Sequence, residues 1–418
     1  MPPRGARSQR RGERILVPVL LLSFLSLTRA VCAQTRQLEL GLEGFGYESQ
    51  TSVLNRENVL GLDDHPGLGR LALGWRETHG GFRAVFRGYV ERTWGTEQDE
   101  TRWVVRQGYA QYWWGEGVGL RVGKQRVAWG SGLAWNPTNR LEPPKNALNT
   151  ALEQEGALAA RLDWAPRPWA SLIVVGATTD AAPRDLPVAA SADTRRTAAL
   201  RARFLVKDTD VAFVASGGRN QRTLFGLDLG RDVRGALAVH AEAGLYRGSE
   251  ILPPRDDTWF LRVVAGALKT RGDDAFALEY FYNGEGYSDA GVAAWLSGLD
   301  RAWGAATNPA LPPAQQQQAL GVYAAGAAIP YAWGLGLRRH YLHASWTRGG
   351  ATSVWTGALR AVVGLSDGGC ALTPGIGYAP RGNLTFNLDA VFLLGPATSE
   401  YRLSPVRGAL QARVKLLF

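Results

Sequence analysis

Arginines recur in this chain at spacings of two and four residues. Arg83 with Arg87, Arg201 with Arg203, and Arg413 with Lys415 repeat at a period that sets both members of each pair on one face of an extended strand. Counted by that parity, Arg83, Arg87, Arg106, Arg161, Arg201, Arg203, Arg262, Arg339, Arg360 and Arg413 fall on polar strand faces. Arg70, Arg76, Arg121, Arg407 and Lys415 join them. The acids on the same faces are fewer: Glu39, Glu43, Glu91, Asp163, Asp228, Glu242, Glu279 and Asp389. A guanidinium is permanently charged and presents a fixed fork of donors, so the chemistry on offer is the attraction of anions. Rings of Arg and Lys select anions in pores. The same residues can instead pair with acids on neighbouring strands as a structural ladder, and for any single arginine both readings stand.

A second set of residues lies in Gly123 to Pro144, GKQRVAWGSGLAWNPTNRLEPP. Trp129 and Trp135 offer stacking surfaces for a sugar, Lys124, Arg126 and Arg140 offer anion contacts, and Asn136 is a neutral polar partner. The segment is read either as a constriction loop folded into a pore, over residues 129–152, or as an extracellular loop packed on a rim. For enzymatic work the chain is poor. His65 beside Asp63 and Asp64 is the only local pairing of a base with acids, and it sits in a polar loop. No metal-ligand cluster and no nucleotide-binding glycine loop is evident, so the chain reads as a non-enzyme without cofactors.

The elements that position these residues follow from the ends of the chain. Arg4, Arg7, Arg10, Arg11 and Arg14, the apolar run Ile15 to Leu27, and small residues at Val31 and Ala33 form a secretory signal over residues 1–33. Its removal takes away six arginines and Glu13. The balance of 47 basic against 37 acidic residues becomes 41 against 36, so net charge falls from +10 to +5 and gives no argument for nucleic-acid binding. Cys370 remains as a lone thiol, which excludes an intrachain disulfide. At the other end, Val406 to Phe418 alternates Val406, Gly408, Leu410, Ala412, Val414, Leu416 and Phe418 against Arg407, Gln411, Arg413 and Lys415. One face suits lipid and the other water, as a tilted membrane strand requires.

Between the ends, alternating segments are separated by connections that are short and long in turn. With no run of about 18 apolar residues, such a chain spans a membrane only as a closed barrel, because every backbone donor must be paired where water is absent. We expect one domain over residues 34–418: an all-β transmembrane antiparallel barrel of about 18 strands, with 16 as the alternative count. A long extracellular insertion occupies 284–336, and in it Ala290–Trp303 and Ala314–Ala328 have the composition of short helices. Trp164, Trp169, Trp259 and Trp346 fall near strand ends, where an aromatic girdle sits.

Three resemblances bear on identity. The last strand, ending in Phe418, resembles the C-terminal signal strand of bacterial outer-membrane barrels, which implies recognition by the insertion machinery. The segment after the fifth strand resembles the constriction loop of general porins in placement. The pattern G-K-Q-x-x-x-W-G-x-G-x-x-W-N-P-T is similar to one found in outer-membrane channel proteins of Gram-negative bacteria. Together they imply a porin-like protein of the Gram-negative outer membrane, in contact with lipid and lipopolysaccharide. Its function is then passive passage of small polar or anionic solutes. Export of a secreted polysaccharide and a plugged interaction scaffold are the alternatives.

Overall fold

The computed structural model describes residues 35–418 apart from 60, 96–99, 143–144, 146, 148–154, 181–193, 220, 249–256, 334–335 and 350–352. The expected signal segment, 1–33, lies outside the described residues.

Eighteen antiparallel strands form one sheet that closes on itself through β1 and β18. In chain order they are β1 (Thr35–Ser49), β2 (Gly67–His79), β3 (Phe82–Trp94), β4 (Thr101–Trp114), β5 (Val118–Gln125), β6 (Ala157–Arg167), β7 (Ala170–Asp180), β8 (Thr194–Val206) and β9 (Thr209–Arg219). There follow β10 (Gln221–Val233), β11 (Leu237–Arg247), β12 (Trp259–Arg271), β13 (Asp274–Asn283), β14 (His340–Arg348), β15 (Trp355–Gly364), β16 (Cys370–Arg381), β17 (Leu384–Leu394) and β18 (Val406–Leu417). Each strand pairs with its sequence neighbours, and β1 pairs with β18 from Glu39↔Leu417 to Ser49↔Val406. Closure removes the two edges that an open sheet would leave unpaired. Phe418 takes part in the seam: its N–H donates to the Leu38 carbonyl at 2.9 Å, and Leu38 N–H donates back at 3.2 Å. The strand count is 18, and the alternative of 16 is set aside.

Sequence alternation becomes geometry without exception on most strands. Leu40, Leu42, Leu71, Leu158, Leu162, Phe213, Phe225, Leu278, Ile376, Leu388 and Phe392 stand exposed on the outer face, where a water-soluble sheet would bury them. Their neighbours in sequence point inward and are buried or paired. Exposed tryptophans edge this band at both ends. Trp114, Trp164, Trp169 and Trp355 lie beside the short turns, and Trp94, Trp103 and Trp259 beside the long loops. An apolar girdle flanked by aromatic rings on a closed barrel is the architecture of transmembrane β-barrels.

One departure from simple parity matters for the lumen. Between β3 and β4 the register shifts at Arg87/Gly88, so Arg106 is an extra residue on β4 and both Arg106 and Gln107 are buried inward. Strict alternation from Gln111 and Tyr109 does not continue past this point, and the inward face assigned to Arg106 from sequence depends on the shift. The bulge turns it into the wall.

The long connections lie on the side opposite the termini. The insertion between β13 and β14 carries α1 (Asp289–Ala306) and α2 (Pro313–Trp333), longer than the two short helices expected. Ser288 caps α1, its hydroxyl accepting from Gly291 N–H at 3.2 Å. The hairpin packs on neighbouring outer loops. Leu299, Ala302 and Tyr323 pack with Leu54 of the β1–β2 loop and with Leu403 of α3 (Glu400–Leu403). Tyr323 hydroxyl donates to the Val53 carbonyl at 2.8 Å.

Candidate functional site: the lumen and its inserted loop

The connection from β5 to β6 enters the barrel and crosses it. Gln125 ends β5 wholly buried, its side-chain amide donating to the Ala159 carbonyl at 2.9 Å. Val127, Trp129 and Leu141 then pack on the inner faces of β6 to β11, against Ala159, Ile173, Val175, Ala199, Val214 and Leu224. Further along, Ala134 and Trp135 reach β12 to β15 and join Val264, Phe281, Tyr341 and Val362. Trp135 stacks on Phe281 with ring centroids 4.9 Å apart and planes 16° apart. Of the two placements open from sequence, the described part of this loop is folded inside the barrel rather than packed on a rim.

The expected stacking surfaces are corrected by that packing. Trp129 and Trp135 are each 3 % exposed, so neither ring faces a passing solute. The reason lies in the wall: Val264, Phe281, Val362 and Val214 are inward-facing yet apolar, and covering them removes that surface from water. The other loop residues hold the loop together or tie it to the barrel. Lys124 pairs with Glu155 at 3.0 Å and Arg126 with Glu142 at 3.5 Å. Arg140 lies 5.2 Å from the Tyr246 ring centre, and burial beside Arg262 and Arg195 lowers its guanidinium to about 10, which leaves it charged at neutral pH. Asn136 donates to Glu242 at 2.9 Å.

On the opposite arc, β15 to β18 and β1 to β4, most of the inward arginines are paired, and four carboxylates there each lie between two cations. Glu43 meets Arg70 at 3.6 Å and Arg106 at 3.1 Å. Glu91 meets Arg70 and Arg102, each through Nε at 2.6 Å. Asp389 meets Arg360 at 3.3 Å and Arg413 at 3.1 Å. Glu39 meets Arg87 at 3.5 Å and Lys415 at 3.0 Å. Seven cations thus share four carboxylates, an excess of three positive charges. Ring and ladder were alternatives in sequence; the arrangement is a ladder that keeps a positive remainder. Tyr89 is sandwiched by the guanidinium carbons of Arg70 at 4.6 Å and Arg106 at 4.5 Å from its centroid.

Nearer the short turns, one cross-strand row runs Arg83↔Gln111↔Arg121↔Arg161 over β3 to β6. Gln111 Oε1, the side-chain amide oxygen, accepts from Arg121 Nε at 3.2 Å and Nη2 at 2.9 Å. Arg161 has Asp163 at 2.9 Å. For Arg83 and Arg121 no ion pair is found among the described residues, so this row is positive as well.

The remaining candidates divide. Arg201 faces inward and pairs with Asp228 at 3.2 Å. Arg203 lies at the β8–β9 turn end, half-exposed beside Asp210. Two assignments to the pore wall are corrected. Arg262 is 1 % exposed, its Nη2 bonded to Glu285 at 2.6 Å under the base of the insertion. Arg339 precedes β14, which starts at His340 and not at Leu337 as the alternation suggested, and it donates to the Gly286 carbonyl at 3.0 Å on the outer rim. In both cases the long insertion claims a side chain that strand parity alone gives to the lumen.

No protein-family model matches the chain, and no curated protein does. Solved structures resemble it in fold. Pseudomonas aeruginosa OpdQ aligns over 93 % of this chain and 99 % of its own, with a TM-score of 0.54 at 12 % identity. Acinetobacter baumannii OccAB1 aligns over 92 % and 96 %, with a TM-score of 0.54 at 9 % identity. Pseudomonas aeruginosa OccK1 (OpdK) aligns over 92 % and 98 %, with a TM-score of 0.51 at 12 % identity.

Proposed function

We propose that this chain is an outer-membrane channel for small polar and anionic solutes. The observation that carries the reading is the division of the lumen. A loop covers the apolar arc of the wall, while the arc left to solutes bears seven cations on four carboxylates. Pores lined with excess arginine draw anions from both baths and let them pass by exchange between neighbouring guanidinium groups. The likeness to the solved barrels above fits a channel of this size. Phe418, 66 % exposed on the lipid side of the seam, fits a role as the insertion signal.

The row at the short-turn end tests the reading. Arg121→Gln with Arg161→Gln removes two positive charges, and Asp163 then stands without its arginine. Reconstituted in planar bilayers, the double variant should show a smaller preference for chloride over potassium than the parent at low salt, the arc of seven cations keeping the remainder. The difference should shrink as salt rises and the roughly 10 Å screening length at 0.1 M contracts. An unchanged preference would show that these arginines do not face the conducting path. Folding should be unaffected, since lumen substitutions tune selectivity.

A further inference from the structure

We infer that Glu242, on the inner face of β11, is the positioning residue that seats the inserted loop across the lumen. The inference rests on the channel reading above and adds to it the group that sets where the channel narrows.

The loop motif is wrapped around this one carboxylate. Gly132 N–H and Asn136 Nδ2 donate to Oε1, the latter at 2.9 Å. Thr138 hydroxyl donates to Oε2 at 2.8 Å and its N–H at 3.4 Å. Four donors from seven residues of chain therefore converge on a side chain that is 1 % exposed. No salt bridge to Glu242 is found among the described residues; its direct partners are loop dipoles, and the Lys145 ammonium of the same loop, which donates to the Gly132 carbonyl, adds a favourable charge interaction with it. The two glycines explain themselves on the same centre. Gly130 has φ +88°, and a Cβ there would stand 2.6 Å from both carboxylate oxygens. A Cβ on Gly132 would meet the Trp135 carbonyl and come within 3.1 Å of Glu242 Oε1. Only hydrogen at both positions lets the backbone close on the acid.

Two neighbours extend the dock. Ser131 hydroxyl donates to Asp228 at 2.6 Å, and Ala134 N–H donates to Glu279 at 2.7 Å. Asp228 also holds Arg201, and Glu279 also bonds His240 at 2.7 Å, so each has a second partner on the wall. Glu242 is the one of the three whose described partners all come from the loop. These wall acids bond to the loop and to Arg201 and His240 and make no ion pair with the arginines of the opposite arc among the described residues.

The test uses the full-length protein with Cys370→Ser and a reporter thiol at Leu141→Cys, a position buried between loop and wall. Its labelling by a small thiol reagent reports whether the loop is seated, whatever the barrel conducts. Glu242→Ala should speed labelling roughly 10-fold or more, as expected when several bonds to a charged acceptor are lost. Heat-modifiable gel migration should stay as in the parent. Glu242→Gln keeps the volume and one acceptor oxygen and should give a smaller increase, a partial rescue that a space-filling role would make complete. Asn136→Ala with Thr138→Ala, which leaves the barrel wall untouched, should also speed labelling and so decides the matter if Glu242→Ala does not fold. In bilayers the same variants should show altered unit conductance and open-state noise. Labelling within about twofold of the parent in both Glu242→Gln and the loop double variant, less than one lost hydrogen bond, would overturn the inference. Faster labelling in a barrel that never conducts would uphold the seat and reject the channel.

Discussion

Replacing Trp135 with alanine is expected to weaken the tip of the inserted loop by roughly 3–5 kcal/mol, the usual cost of truncating a buried tryptophan. The ring is 3 % exposed and stacked on a fully buried Phe281, with Tyr341 at 6.1 Å, so its removal opens a hole that neither rigid wall nor loop can fill. The loss should be local. The barrel's backbone bonds close on themselves, and the Glu242 contacts hold the loop at a separate point. Amide exchange separates the two. Leu133 and Ala134, whose N–H groups donate to Glu279, should lose protection by roughly 100-fold or more, while strand amides keep theirs. Equal protection in parent and variant would mean that the stack contributes little and that the carboxylates alone hold the tip.

The second large effect is a dependence of the outer loops on pH. Glu400 of α3 is partly buried where three loops meet. Leu337 N–H donates to it at 3.0 Å, Tyr341 hydroxyl donates to its other oxygen, and its own N–H donates to Asp367 at 2.9 Å. Arg338 bridges Asp367 at 3.1 Å and Asp289, at the start of α1, at 2.9 Å. Burial raises the Glu400 carboxyl from 4.5 to about 7. Asp367 adds to the rise, while the two donors and Arg338 oppose it. Tyr401 is partly buried alongside, and its hydroxyl is held well above its ordinary range by removal from water and by these two acids. The sign follows from proton counting. Between pH 4.5 and 7 the folded chain holds a proton that the unfolded chain has released, so stability falls as pH rises through that window and levels off above it. The shift corresponds to a loss on the order of 3 kcal/mol. Proteolysis of the outer loops should therefore be slower at pH 5 than at pH 8, and Glu400→Gln should abolish most of the difference. A loop assembly equally resistant at both pH values would show that Glu400 is ionised throughout.

Much of this was legible in the sequence because the membrane leaves so little choice. A strand that must face lipid on one side and water on the other writes its orientation in every second residue, and Leu158, Ala160 and Leu162 against Arg161 and Asp163 is unambiguous. Short turns against long loops gave the direction of each strand. What stayed hidden is long-range. Nothing local announces that Glu242 lies beneath Gly132, since 110 residues separate them; the only hint was the pair Gly130 and Gly132 beside Asn136 and Thr138, a backbone kept bare for close approach. The tryptophans of the loop looked like a binding surface because their apolar partners, Phe281 and Val264, share strand faces with charged residues, Glu279 and Arg262. Arg262 was assigned by parity alone, and parity cannot show that an insertion will fold down over a strand end.

The most direct test of the central claim is the zero-current potential of the unmodified protein in a planar bilayer under a tenfold gradient of potassium chloride. With seven cations on four carboxylates along the open arc, and the wall acids Asp228, Glu242 and Glu279 turned to the loop, chloride should carry most of the current. The potential should lie on the chloride side of zero and move towards zero as both baths are made more concentrated and screening strengthens. A potential on the potassium side, or a barrel that inserts and conducts no ions, would contradict the account.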